Sequence, residues 1–346
     1  MKKYFDNFKT LAFLFMTGLL LVGCSSDDDM PPTGEGESIL PYNSSDHVYG
    51  TLAVRDVGTW EIVIDPSTGA HNKVSETETP FEGTSARIGG LELTSFERNE
   101  RLFVSRSDDS KLKVQDLETF NITEIDLTDT SLNKTVSFPQ LLQFGSDQNE
   151  LYLMDTDYSL WKINLESKMV NKIYDRIPVS NGTYISNLFY VASTGHFLGM
   201  TNTDAINDYR GDNLFLFDTA LPDSTSIIST KSISKGFGFV QHPIDKNNIY
   251  FIQTSQDDKG FRLMKIAING NELDVSEIST TDLSIDNLSP YLQTIHTASN
   301  TYILRGGSND IEAPTNTLYS ININTGELIH EVEIEETGFL LNLAGE

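Results

Sequence analysis

The sequence predicts an all-β chain: a six-bladed β-propeller of four-stranded blades, with a C-terminal strand closing the first blade. Three observations lead there. A polar turn followed by an aromatic-rich run recurs six times, each copy is followed by a second alternating run, and an inner run precedes every copy but the first. The aromatic-rich runs start at Tyr49, Arg101, Glu150, His196, Asn248 and Thr301, so their starts are spaced 52, 49, 46, 52 and 53 residues apart. A period of about 40–50 residues is that of a propeller blade.

The second runs (60–64, 111–115, 159–163, 213–217, 262–266 and 318–322) alternate at period two, which turns one side of each toward the gap between blades. The turn closing them also repeats, as Asp65-Pro-Ser-Thr68-Gly69, Asp116-Leu-Glu-Thr119, Asn164-Leu-Glu-Ser167 and Asn322-Ile-Asn-Thr325-Gly326. Asp or Asn opens such a turn because its side chain bonds backbone N–H groups two residues on, and Gly accepts positive φ. The fourth and fifth copies, at Asp218 and Asn269, depart from it. A short polar outer strand follows each turn, such as 122–126 or 331–335. The inner runs lie at 89–94, 140–145, 186–192, 236–240 and 291–295; the missing copy stands at the far end of the chain. A closed ring leaves no open edge, so residues 338–344 are predicted to supply the inner strand of the first blade.

Before the repeats lies a segment of another kind. Lys2, Lys3 and Lys9 precede an apolar run, 11–22, too short for the ~20 residues of a spanning helix. It ends in Leu21-Val22-Gly23-Cys24, and Cys24 is the sole cysteine of 346 residues. This pattern resembles the bacterial lipobox. The resemblance implies that residues 1–23 are a lipoprotein signal peptide and that Cys24 is the lipidated residue, with acyl chains burying about 0.8 kcal/mol per CH₂. The Ser25-Ser26-Asp27-Asp28-Asp29 that follows resembles the acidic tether of Bacteroidota lipoproteins exported to the cell surface, which implies a lipid-anchored outer-membrane location. Residues 24–46 are low in apolar content and read as a flexible tether, leaving 47–346 for the propeller. That span resembles bacterial propeller lipoproteins, some of which capture siderophores beside an outer-membrane receptor.

Without residues 1–23 the chain carries 21 basic and 49 acidic residues, a net charge of −28. Such a charge argues against nucleic acid and against docking on anionic lipid. It suits solubility, a cation or a basic partner.

In a propeller, the loops joining second to third strands share one face with the connectors between blades, and rigid blades hold sites there. Here those loops carry Asp56, Asp108, Asp109, Asp155, Asp157, Asp204, Asp208, Asp212, Asp257, Asp258, Asp310 and Glu312. The connectors add 84–87 and 175–178, with Asp175 and Arg176. Asn202, Asp204, Asn207, Asp208 and Asp212 form an oxygen-rich set that suits Ca²⁺, without the spacing of an EF-hand. The alternative is a solvated loop with Asx turns. Arg87, Arg106, Arg210 and Arg305 offer forks, and Tyr209 a ring, for an acidic or sugar ligand, alongside Asp310. The alternative is arginines held by neighbouring structure. The sequence holds no His-Glu-x-x-His helix and no Gly-x-Ser-x-Gly elbow. The expectation is therefore a membrane-anchored binding or scaffold module that meets a protein partner or small ligand at its loop face. A carbohydrate- or ester-active enzyme using loop carboxylates, and capture of a siderophore or metal complex, are the alternatives.

Overall fold

The computed structural model describes residues 47–345 apart from 55–57, 78–90, 96–97, 105–109, 117–118, 120, 137–138, 181, 204–209, 255–259, 280–281, 285–291, 309–314 and 335–337. The chain divides into two units, 1–37 and 38–346, and all described residues belong to the second. Cys24 and the tether lie outside them.

Every described element is a strand. The first three are β1 (Val48–Val54), β2 (Gly58–Ile64) and β3 (His71–Thr77). A second group comprises β4 (Leu91–Ser95), β5 (Glu100–Val104), β6 (Lys111–Asp116) and β7 (Ile122–Asp126), trailed by the hairpin β8 (Thr128–Asp129) and β9 (Lys134–Thr135). A third comprises β10 (Pro139–Phe144), β11 (Glu150–Asp155), β12 (Leu160–Asn164) and β13 (Met169–Tyr174). Then come β14 (Tyr184–Val191), β15 (His196–Asn202), β16 (Gly211–Phe217), β17 (Ile227–Gln241), β18 (Asn248–Thr254), β19 (Phe261–Asn269) and β20 (Glu272–Glu277). The last are β21 (Gln293–His296), β22 (Thr301–Gly306), β23 (Asn316–Asn322), β24 (Leu328–Ile334) and β25 (Phe339–Ala344).

They form a propeller-like set of antiparallel meanders. Four sheets have four strands, in the orders β25-β1-β2-β3, β4-β5-β6-β7, β10-β11-β12-β13 and β21-β22-β23-β24. A fifth runs continuously from β14 to β20, and β8 pairs with β9. Inner strands pack in cyclic order, β4 on β10, β10 on β14, β14 on β17, β17 on β21, β21 on β25, and β25 back on β4. β25 pairs with β1 from Tyr49↔Ala344 to Ala53↔Phe339, so the end of the chain is the inner strand of the first sheet.

The sequence anticipates separate outer and inner strands between 227 and 241. The structure runs them together as β17, whose first half pairs with β16 and whose second half pairs with β18. The change of partner falls at Gly236, which pairs with Gly211 on one side and Gln253 on the other; a Cβ there would meet the Phe251 ring at 2.9 Å, so glycine lets both neighbours close on one strand. The β8–β9 hairpin is also unanticipated. Its Asp129 accepts a hydrogen bond from Lys172 N (3.1 Å) and so docks on the outer strand of the third sheet.

The core lies between sheets. One apolar cluster joins Leu102, Leu112 and Val114 to Leu151, Trp161 and Ile163. Others join the third and fourth groups through Tyr152, Phe197 and Phe217, and the last and first sheets through Ile303, Leu318, Val48, Ile62 and Leu343. The repeated turn shows why it repeats. Asp65 Oδ1 accepts from Ser67 N (2.8 Å), Asp116 Oδ1 from Thr119 N (2.6 Å), Asn164 Oδ1 from Ser167 N (2.7 Å) and Asn322 Oδ1 from Asn324 N (2.8 Å). Gly69 ends the first of these at φ 74°, and a Cβ there would meet Glu333 O at 2.6 Å, so the turn also needs glycine to pack on β24.

Candidate functional site

Each sheet has a turn end, where first meets second strand and third meets fourth, and a connector end, where second meets third and the chain passes on. All six histidines stand at the turn end: His47, His71, His196, His242, His296 and His330. The connector end holds a cleft of about 530 Å³ between the β11–β12 hairpin and the connector from β13 to β14.

Its walls are built from the backbone outward. Asp155 and Ser159 close the hairpin through Asp155 N→Ser159 O (3.0 Å) and Tyr158 N→Asp155 O (2.9 Å), with Tyr158 at φ 65°. Asp155 Oδ1 accepts from Thr156 N (2.7 Å) and Asp157 Oδ1 from Ser159 N (2.8 Å). The connector is fastened to this hairpin by Ile177 N→Tyr158 O (3.0 Å), and Ile177 itself is wholly buried beside Phe197. Gly182 turns the chain at φ 80° and brings Thr183 and Tyr184 to the far wall. The cleft thus presents Asp157, Asp175, Arg176, Tyr158 and Tyr184. Asp175 pairs with Lys172 Nζ at 3.1 Å, which in turn lies over the Trp161 ring. Tyr184 is 43% exposed. Burial raises the Tyr158 phenol above its ordinary value, and Tyr184 adds to this, while a hydrogen bond from the Ile185 backbone and the Arg176 charge pull the other way. Tyr184 and Arg176 therefore both stand within electrostatic reach of the Tyr158 phenol. An aromatic ring beside a fork donor and two acceptors can hold a polar ligand or a partner's side chain.

The residues singled out by sequence fall differently. Arg87, Arg106, Asp204, Asp208, Tyr209 and Asp310 lie outside the described residues. Arg210 is half-buried and engaged. Asp212 accepts from Thr203 Oγ1 (3.3 Å) and Asn213 Nδ2 (2.7 Å), which fastens it to its own loop base. Among the described residues no group of three or more His, Cys, Asp or Glu is placed to hold a metal.

Arg305 points inward rather than to solvent. It is 2% exposed, donating Nε–H to Asn316 Oδ1 (3.1 Å) and Nη2–H to Ser308 O (3.1 Å) and Thr315 O (2.8 Å). Asn316 passes the contact on, Nδ2 to Gly338 O (2.8 Å) and Oδ1 from Leu340 N (3.2 Å). Arg305 thus clasps both stems of the 306–315 loop and, through Asn316, the C-terminal strand. Asp157, Asp175 and Arg176 are legible in the sequence as loop residues. Tyr158 and Tyr184 are not, because only tertiary packing sets which hairpin faces which connector.

No protein-family model matches the sequence, and no curated protein matches it. Solved structures do. An oligogalacturonate lyase in complex with manganese aligns with a TM-score of 0.50 at 12% identity, over 85% of this chain and 75% of that one. The chain is a β-propeller. Apo AztD from Citrobacter koseri aligns with this propeller at a TM-score of 0.47 and 13% identity, covering 85% of this chain and 88% of that one. Dihydro-heme d1 dehydrogenase NirN gives 0.42 and 10%, over 84% of this chain and 54% of that one, so the propeller spans about half of NirN's length. At these identities the likeness is one of fold alone.

Proposed function

We propose that this propeller is a six-bladed binding or scaffold module, held to the outer membrane by lipid on Cys24, displayed at the cell surface, and accessory to a transporter or secretion machine. The cyclic packing of inner strands supports the count of six, with β17 serving two blades. The lipobox and acidic tether support the location. The observation that carries the binding role is the connector-end cleft, where Tyr184, Arg176 and Asp157 converge on about 530 Å³. Small-molecule sites span about 300–1,000 Å³, and exposed Tyr and Arg are frequent anchors for protein partners.

Crosslinking on intact cells, comparing the native chain with Arg176→Glu and Tyr184→Ala, tests this reading. Loss of a crosslinked envelope partner in both variants is expected. Unchanged crosslinking, or none in the native chain together with flat thermal shifts against ferric siderophores, sugars and Ca²⁺, would overturn it. Metabolic labelling with a fatty-acid analogue tests the anchor, which Cys24→Ala should abolish. A second reading is favoured by the nearness of Asp157, Asp175 and Tyr158: a carbohydrate-active enzyme, of which the lyase neighbour is one example on this fold. Turnover of acidic oligosaccharides that Tyr158→Phe abolishes would replace the binding reading with this one.

A further inference from the structure

Both ends of the propeller strands' chain lie at the turn end of the first sheet. Val48 pairs with Ile64, so the chain enters beside the Asp65-Pro66-Ser67 turn, and Ala344 of β25 ends opposite Tyr49. Next to that entry a cavity of about 350 Å³ opens between the first and last sheets. Pro66 and Ser67 belong to one wall; Ala298, Ser299, Ile329 and His330 belong to the other. Ser320 Oγ donates to Pro66 O (3.2 Å) and ties the two walls together.

The walls suit an uncharged, partly apolar occupant. Ile329 is 43% exposed and Ala298 is exposed as well, so two apolar side chains stand uncovered among seryl hydroxyls. No Lys or Arg lines the cavity. Its one carboxylate, Asp65, already accepts from Ser67 N (2.8 Å), Ser67 Oγ (2.6 Å) and Thr68 Oγ1 (2.7 Å).

The chain just ahead of β1 supplies such an occupant. Ile39-Leu40-Pro41-Tyr42 is uncharged, whereas 24–38 carries Asp27, Asp28, Asp29, Glu35 and Glu37, with Met30 as its one large apolar side chain. The division of the chain falls after residue 37, which groups 39–42 with the propeller. His47 and Asp65 flank the same Val48↔Ile64 pair, so the cavity wall begins beside the entry point. At about 3.3–3.6 Å per extended residue, Tyr42 reaches up to about 17 Å from His47, which covers the cavity.

We propose that residues 39–42 dock in this seam cavity, with the aliphatic pair Ile39-Leu40 covering Ile329. The free part of the tether then ends at residue 38 and departs from the turn end, opposite the connector-end cleft. This docking depends neither on that cleft nor on lipid at Cys24.

Chymotrypsin digestion of the full chain tests it, because Tyr42-Asn43 is a cleavable bond whereas Leu40 is followed by proline. Cleavage after Tyr42 samples the undocked population, and it is expected to be about ten-fold or more slower in the native chain than in Ile329→Asp or Leu40→Ser. Leu40 precedes the first strand, so its variant reports even where Ile329→Asp fails to fold. Ile244→Asp, at a 79% exposed position on another turn, should keep the native rate. Equal cleavage of the native chain and Leu40→Ser would overturn the proposal, as would an Ile244→Asp cut as fast as Leu40→Ser. Protection that vanishes on dilution would put a second copy's segment in the cavity and overturn it too.

Discussion

At the scale of single residues, two side chains separate holding from binding. Arg305 resembles a ligand arginine in sequence because it ends a second strand beside a long loop. Its guanidinium is instead enclosed by Asn316, Ser308 and Thr315, and burial lowers its pKa below that of free arginine. Arg305→Ala strands those acceptors and is expected to lower stability by about 2–3 kcal/mol, read by urea unfolding. Arg305→Lys recovers only part of this, since one ammonium cannot span all three partners. Asp65 is the second. Burial alone would raise its pKa, but the hydrogen bonds from Ser67 and Thr68 outweigh burial and bring it to about 2 from 3.8. A depressed carboxylate stabilises the fold above its unfolded value and loses that contribution as pH falls through its folded one. Asp65→Asn keeps the turn, as Asn164 and Asn322 do elsewhere. The Tm gap between native chain and variant should be widest above about pH 4 and should close toward pH 2; a gap independent of pH would refute the assignment.

At the scale of elements, one blade position breaks the pattern of the others. The cross-strand pairs Val48↔Ile64, Leu151↔Ile163, Phe197↔Phe217, Ile249↔Ile266 and Tyr302↔Ile321 occupy the equivalent place in their sheets. In the second sheet that place holds Arg101 and Gln115, hydrogen-bonded to each other and buried. Burial lowers the arginine's pKa to about 10, which leaves it charged at neutral pH. Arg101→Leu alone strands the Gln115 amide and should cost about 1–3 kcal/mol. Arg101→Leu with Gln115→Ile restores the pair that the other sheets use and should return stability to within about 1 kcal/mol of the native chain, or above it. A double-mutant cycle reads the coupling, and additive losses would refute it. The repeat itself was legible because each strand pays attention to period two and each hairpin to an Asx turn, both local. β17 was not legible: Ile227 to Gln241 has the alternation of two strands, and nothing local tells whether the chain leaves the sheet between them.

At the scale of the whole molecule, the ring depends on one seam. Gly345 N→Thr294 Oγ1 (2.7 Å) crosses it at the place where Tyr190 N→Gln143 Oε1 (2.8 Å) crosses between the third and fourth sheets. Closure thus reuses the contact that joins ordinary neighbours. Deleting 339–346 should expose the β1 edge and yield oligomers in light scattering, while a monomer of native stability would show that β25 is dispensable. The seam was readable from a missing copy at one end and a surplus copy at the other. The cleft was not, since it needs the β11–β12 hairpin and the 175–184 connector to face one another, and a linear sequence holds no record of that angle.

The pairing of β25 with β1 has a consequence in time. A ribosome delivers β1 to β3 before their inner strand, which follows every other described strand, at about 5–20 residues per second. For tens of seconds the first sheet is therefore an unfinished template, and the chain cannot reach its native ring before β25 emerges. β25 is thus the segment that locks the ring, and the native fold can form only after it has arrived.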